Sequence, residues 1–281
     1  MNAPLSITTA DAAGVATIVD WAAAEGWNPG LHDPAAFHAA DPDGFLLGSI
    51  DGEPVGAISV VRYGASFCFL GLYIVRPEWR GQGHGLAMWR AGIELAGPRT
   101  IGLDGVVEHQ GDYARSGFAL VRRNVRYGGV GGARRDGDAL VVPLRDVGRA
   151  AVLDYDAGIF PARRERFLDA WLGMPDSHGL AALRDGAVVG YGVARPCREG
   201  VKVGPLFADD ATTAEAIFEG LSAWTGDQPI FLDVPEPNTA ARGLAERHGL
   251  SPVFETARMY AGEAPDEPVE RIFGVTTFEL G

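Results

Sequence analysis

The chain has 281 residues, nearly half of them hydrophobic, and a formal net charge of −13. The length suits two ordinary domains, and the apolar content excludes a disordered chain. The acid excess argues against a nucleic-acid or anionic-membrane surface.

From the amino terminus, LSITTA reads as a first strand. Asp11 is placed to cap a helix whose apolar positions are Val15, Ile18, Val19 and Ala22. Asp11 and Asp20 punctuate this stretch and no basic region precedes it. Neither a signal peptide nor a membrane span is expected, and a cytoplasmic location is. GWNPGLHD breaks the helix, and DPAAFHAAD reads as a second one. GFLLGSI and VGAISVVRYG form a hairpin about Asp51-Gly52. FCFLGLYIV is apolar nearly throughout, hence a strand buried on both faces. A glycine-rich segment, a helix to about Ala96, the strand TIGLD, the helix EHQGDYARSG and the strand FALVRRNVRYG follow. GGVGGARRDGD reads as a linker. Arg122, Arg123, Arg126, Arg134 and Arg135 read as a solvated strand face and loop. Cys68 and Cys197 have no partner spacing, fit a reducing compartment, and carry no zinc or redox signature; no metal is expected.

The second half repeats the order: a hairpin about Asp185-Gly186, the strand VKVGPLFA, the helix TTAEAIFEGLSAWTG, the strand PIFLDV, the helix NTAARGLAERHG and the strand SPVFETARMYAG. Three anchors align. DGEPVG from 51 matches DGAVVG from 185, IGLD from 101 matches IFLD from 230, and SGFALV from 116 matches HGLSPV from 248. The offsets of 134, 129 and 132 residues are those of a duplicated α/β unit with drifting loops.

The segment Arg80-Gly81-Gln82-Gly83-His84-Gly85 stands between an apolar strand and a helix. Unpaired N–H groups of a helix's first turn and its dipole favour an anion, and glycines let a phosphate reach the backbone. A P-loop is excluded because no Gly-Lys-Ser/Thr follows. The dinucleotide fingerprint fits poorly, because antiparallel hairpins precede the segment.

With Val75-x-Pro77-Glu78-x-Arg80 before it and Tyr113-x-x-x-Gly117-Phe118 after it, the segment resembles the pyrophosphate loop of the GNAT acyltransferases. The resemblance covers residues 5–128. EGWNPG, GLYIV, LDGV and FGVTTFELG further resemble a bacterial subgroup of two-domain GNAT-like proteins. It implies an α/β fold of α+β type with two tandem domains, each a mixed, mostly antiparallel sheet flanked by helices. Residues 1–132 would be the catalytic domain and 133–281 a degenerate copy serving as substrate wall or scaffold.

By the resemblance, Tyr73, Ile74 and Val75 offer backbone groups to a pantetheine arm, and Arg80, Gly81, Gln82, Gly83, His84, Gly85 and Leu86 form the cofactor loop for acetyl-CoA. Tyr113 stands where the family keeps the general acid for the leaving thiol, or else packs against the cofactor arm. Asp104, which ends IGLD, resembles the general base of some members, or caps the next helix; Asp233 holds the same place in the second half. A water chain is the alternative base. Trp27 and Asn28 lie where the resemblance puts the acceptor pocket, with a plain helix stop as the alternative. Relative to the family, Val106 replaces an expected Asn and the Asp104–Tyr113 interval is two residues short.

In the second half Asp209 and Asp210 stand where a pyrophosphate would lie, and Ala245 replaces the tyrosine, so the cofactor site there is lost. The tail RIFGVTTFELG, Arg258 and Tyr260 are expected to make contacts between the halves. The expected activity is acetyl transfer from acetyl-CoA to an amine of a small metabolite, by a monomeric pseudo-dimer or a homodimer. A protein N-terminus or lysine is the alternative acceptor, and acyl-CoA binding without turnover or a purely structural pseudo-dimer the alternatives to an enzyme.

Overall fold

A computed structural model describes residues 4–132 and 141–281. The first half runs β1 (Ser6–Thr9), α1 (Ala12–Ala24), α2 (Asp33–Ala40), β2 (Phe45–Ile50), β3 (Glu53–Tyr63), β4 (Phe67–Val75), α3 (His84–Ala96), β5 (Thr100–Val106), α4 (Gln110–Arg115) and β6 (Ala119–Val130). The second runs β7 (Val141–Pro143), α5 (Arg149–Ala157), α6 (Glu165–Leu172), β8 (His178–Arg184), β9 (Ala187–Pro196), β10 (Val201–Ala208), α7 (Ala211–Thr225), β11 (Pro229–Pro235), α8 (Thr239–Arg247), β12 (Ser251–Ala261) and the short β13 (Ile272–Gly274).

Local chemistry sets these elements as the sequence leads one to expect. Asp11 accepts from the Gly14 N–H and starts α1, whose buried face is Val15, Ile18, Val19 and Ala22. Asp51-Gly52 and Asp185-Gly186 both take positive φ, as two-residue hairpin turns require. Asp210 caps α7 and Asn238 caps α8.

The strands form one continuous sheet in the order β1-β2-β3-β4-β5-β12-β6-β11-β10-β9-β8-β7, with β13 beside β10. The order is a palindrome of the two halves, which is how a duplicated unit related by pseudo-twofold symmetry reads. The last strands are exchanged. β12 pairs antiparallel with β5 of the first half, and β6 with β11 of the second. Two expected sheets are therefore one, joined by the β6–β12 pair.

Charge pairs lock the exchange. Arg258 on β12 stands opposite Asp104 on β5, and Arg126 on β6 stands opposite Asp233 on β11. These four positions occupy equivalent places in the two halves. Arg122 and Arg126 are therefore buried, not the solvated face expected of them. Arg122 donates to Glu267 at 2.7 Å. Arg134 and Arg135 lie outside the described residues, as does most of the expected linker; Gly128, Gly129 and Val130 belong to β6. Cys68 and Cys197 are buried free thiols.

One core cluster also crosses the halves, with Phe37 of α2 stacked on Trp171 of α6 at 6.4 Å between ring centroids. Buried Arg195 closes on Asp33 at 2.8 Å. No helix is long and apolar enough to cross a membrane, among the described residues.

Candidate active site

The site begins where β4 and β5 part. Their parallel ladder runs from Phe67–Thr100 to Leu70–Leu103 and then stops, although both strands continue. The cause is a bulge: the β3–β4 register shifts between Ala57 and Ser59, and Leu72 takes φ 46°, uncommon for a residue with a side chain. Beyond the bulge, Tyr73, Ile74 and Val75 have no β5 strand beside them. They line one cavity of about 730 Å³ together with Trp27, Arg80, Leu86, Asp104 and Tyr113.

At the mouth of this cavity α3 begins. Gly81 has φ 74° and Gly83, the N-cap, φ 87°. No side chain caps α3, and its first turn holds no acid. Its first N–H groups are thus open to an anion, with the helix dipole behind them. A Cβ on Gly85 would lie 2.7 Å from the Tyr73 hydroxyl, so the close approach of helix and strand needs glycine there. The His84 ring packs edge-on against Trp79, and its Nε2 is buried without a partner. The loop side chains brace the backbone. Arg80 Nε donates to Val75 O at 2.8 Å and its guanidinium pairs with Glu25, while Gln82 donates to Glu78 O. Such a backbone cradle at an uncapped helix start fits the pyrophosphate of an acyl-CoA.

Tyr113 lies deep in the same cavity. Trp89 packs between its ring and that of Tyr73, at 5.6 and 5.5 Å. Burial, then the nearby Tyr73 and Asp112, pushes the Tyr113 phenol up to about 12. It stays protonated at neutral pH and can donate to a developing thiolate.

Asp104 also lines the cavity, yet its carboxylate is committed. Oδ1 accepts from Asn124 Nδ2 at 2.8 Å and Arg258 Nε at 2.9 Å, and Oδ2 accepts from Arg258 Nη2 at 2.6 Å. Its side chain has no exposed surface. It caps no helix, because it sits within β5.

Trp27 and Asn28 separate. Trp27 is on the cavity wall. Asn28 is not: its amide donates to Glu199 O and accepts from Glu199 N–H, both at 2.9 Å, and so clasps the β9–β10 turn. Its φ of 53° turns the chain toward the second half, where Lys202 Nζ reaches Asn28 O.

The second half contributes what the motif comparison missed. Phe254, Thr256, Phe278 and Glu279 line the first half's cavity, beside Arg126. Arg126 lies 4.9 Å from the centroid of Phe278 and 5.7 Å from that of Phe254. The tail was expected to touch the other half, but nothing in the sequence assigned Phe254, Thr256, Phe278 or Glu279 to this cavity; they arrive through the strand exchange and the tail.

The second half's own equivalent cleft is filled. β10 and β11 pair in parallel only from Val201–Ile230 to Val203–Leu232. Past that point β13 pairs with β10, and Val275 N–H donates to Asp233 O on β11. The segment thus occupies the gap that the first half leaves open. Asp209 accepts from Arg271 and Tyr155, and Asp210 caps α7, so both expected carboxylates hold protein groups.

Comparison with known proteins finds relatives of both halves. The model of the acetyltransferase (GNAT) family matches residues 14–118, and an acetyltransferase (GNAT) domain model matches 152–274. This chain is a tandem GNAT acyltransferase. The tandem protein is 28% identical over 263 residues to the holothin acyltransferase of Pseudoalteromonas sp. (strain SANK 73390), covering 93% of this chain and 90% of the relative. A putative acetyltransferase from Pyrococcus horikoshii superposes with TM-score 0.83 at 25% identity, covering 99% and 96% of the two chains. A tandem GNAT protein from the clavulanic acid biosynthesis pathway shares the fold at TM-score 0.63 and 15% identity, covering 93% of this chain and all of the other. Members of this family use acyl-CoA, and the tandem protein's first half carries a cleft of the right form.

Proposed function

We propose that this tandem GNAT protein moves an acetyl group from acetyl-CoA to the amine of a small metabolite by direct attack, with no covalent enzyme intermediate. In this reading residues 1–132 hold acetyl-CoA and residues 133–281 supply the acceptor wall. Arg80 to Leu86 hold the pyrophosphate through backbone N–H groups, and Tyr73, Ile74 and Val75 receive the pantetheine arm as an added strand. Tyr113 protonates the leaving sulfur. Asp104 positions β12 rather than taking a proton, since Arg258 and Asn124 occupy both of its oxygens.

The observation that carries the reading is one cavity lined both by Tyr73, Ile74, Val75 and Tyr113 of the first half and by Phe254, Thr256 and Phe278 of the second. A cavity of about 730 Å³ with aromatic side chains from both halves in its lining suits a small molecule. Both walls come from one chain, so a single copy suffices. Buried Cys68, with its thiol pushed up to about 12 by burial, is no acyl-accepting nucleophile.

The test is thiol release from acetyl-CoA and longer acyl-CoAs across a panel of amines and with holothin, the compound for which the relative is named. Amine-dependent release with acetyl-CoA supports the reading. Binding of acetyl-CoA with no release for any amine returns the chain to a binding role.

A further inference from the structure

We propose that Glu279, on the segment that leaves β13, is the carboxylate that receives the acceptor amine's proton in the first half's site. The proposal rests on the amine-acylation reading above.

Four carboxylate residues line the cavity: Glu25, Asp104, Asp112 and Glu279. Three have cationic partners. Glu25 pairs with Arg80, Asp104 with Arg258, and Asp112 with Arg115. Glu279 has no ion pair within 4.0 Å among the described residues, although the buried charges of Arg126, Arg195 and Lys202 act on it from farther off. Its Oε2 accepts the Thr277 hydroxyl, and Oε1 takes no hydrogen bond from one. Yet the residue is 4% exposed. A carboxylate that far out of water, with one oxygen unpartnered and a cavity beside it, is set to take a donor from a ligand.

Its position suits the reaction. A Cβ built on Gly71 would lie 2.2 Å from the main-chain oxygen of Glu279. Gly71 follows Leu70, where the β4–β5 ladder ends. The Glu279 main chain therefore rests on β4 at the apex of the cleft, where an acyl group carried down β4 would end. The segment is firmly held. Tyr63 donates to Leu280 O at 3.0 Å, and Arg164 donates to Thr276 Oγ1 at 2.9 Å. The same stretch that fills the second half's cleft with β13 thus carries a carboxylate to the first half's cleft. Thr256, another residue of the lining, keeps its hydroxyl buried without a partner.

The step balances as follows. The neutral amine nitrogen bonds to the thioester carbonyl carbon and becomes cationic. Glu279 takes one N–H proton. The carbon–sulfur bond breaks, and the sulfur takes the Tyr113 phenol proton. The proton on Glu279 returns to the Tyr113 oxygen through solvent. Over the cycle the amine loses one proton and the thiol gains one.

The test uses the full chain with an amine that the wild type acylates, and compares Glu279→Gln and Glu279→Asp. For Glu279→Gln, kcat/KM for the amine falls about 10²- to 10³-fold. The KM for acetyl-CoA stays within about twofold, and acetyl-CoA raises the melting temperature as it does in wild type. Glu279→Asp recovers at least about tenfold of the loss. Glu279→Gln kinetics within about threefold of wild type would overturn the proposal and leave the amine reading intact. Loss of the acetyl-CoA-induced stabilisation in Glu279→Gln would also overturn it, making Glu279 a structural clamp. A wild type silent toward every amine would overturn the amine reading and this proposal together.

Discussion

Arg258 of the second half closes a two-pronged ion pair on Asp104 of the first, with Nη2 to Oδ2 at 2.6 Å and Nε to Oδ1 at 2.9 Å. Its equivalent, Arg126 on Asp233, does the same at 2.8 and 2.6 Å. The side chains of both pairs are buried and hydrogen-bonded, so removing Arg258 leaves the Asp104 carboxylate without a cation, and removing Asp104 leaves Arg258 with Glu267 at 3.4 Å as its remaining acid. Asp104→Asn and Arg258→Met are each expected to lower unfolding free energy by about 3–5 kcal/mol. Urea unfolding checks this. A loss under about 1 kcal/mol would mean the pair does not hold the exchange.

Tyr113→Phe keeps the ring packed against Trp89 and removes only the hydroxyl. The expected outcome is a fall in kcat of about 10²-fold or more, with little change in melting temperature or in KM for acetyl-CoA. The phenol is pushed up to about 12, so it remains an acid across the neutral range. The kcat profile of the wild type should show no alkaline limb from this group below about pH 10. Steady-state kinetics over pH tests both statements.

Gly83 at φ 87° caps α3 where the pyrophosphate would sit. Gly83→Val places a β-branched residue in the left-handed region at a cost of about 1–3 kcal/mol and reshapes the N–H cradle. KM for acetyl-CoA should rise about tenfold or more, with KM for the amine little changed. Because β13 fills the second cleft, calorimetric titration of the wild type should find one acetyl-CoA site per chain, and Gly83→Val should weaken that site.

Stability should fall in acid. Burial pushes the Asp233 carboxyl up, but the Arg126 charge and hydrogen bonds outweigh it and hold it below its ordinary value. Glu267 behaves alike, with Arg258 and Arg122 opposing its burial. A carboxyl depressed in the folded state stabilises the protein above its unfolded value, and that contribution disappears as pH falls through the folded one. For these two groups the ordinary values are 3.8 and 4.5. Unfolding free energy measured against pH should therefore decline below about pH 4.5. A curve flat down to pH 3 would contradict the assignment.

Much of this was legible in the residues. The duplication shows in the DG turns, IGLD with IFLD, and SGFALV with HGLSPV. The loop shows in RGQGHG, and the loss of the second site in Asp209 and Asp210. The exchange of β6 and β12 was not legible. A strand's alternation records which face is buried, not which neighbour it pairs with, and Arg126 satisfies the same pattern beside either fifth strand. Asp104 looked free because its partner lies 154 residues away. Asn28 looked like a pocket residue because a motif gives its neighbourhood but not its rotamer. Glu279 lies in the tail FGVTTFELG, which was expected to touch the other half, but its place in this cavity follows from the path of the chain after β13.

The most direct test of the central claim is amine-dependent release of coenzyme A thiol from acetyl-CoA by the wild-type chain. The account predicts release that saturates with both substrates and falls about 10²-fold or more in Tyr113→Phe. Acetyl-CoA that stabilises the protein, by about 2.7 kcal/mol at 100 times its Kd, yet yields no thiol with any amine, would contradict it.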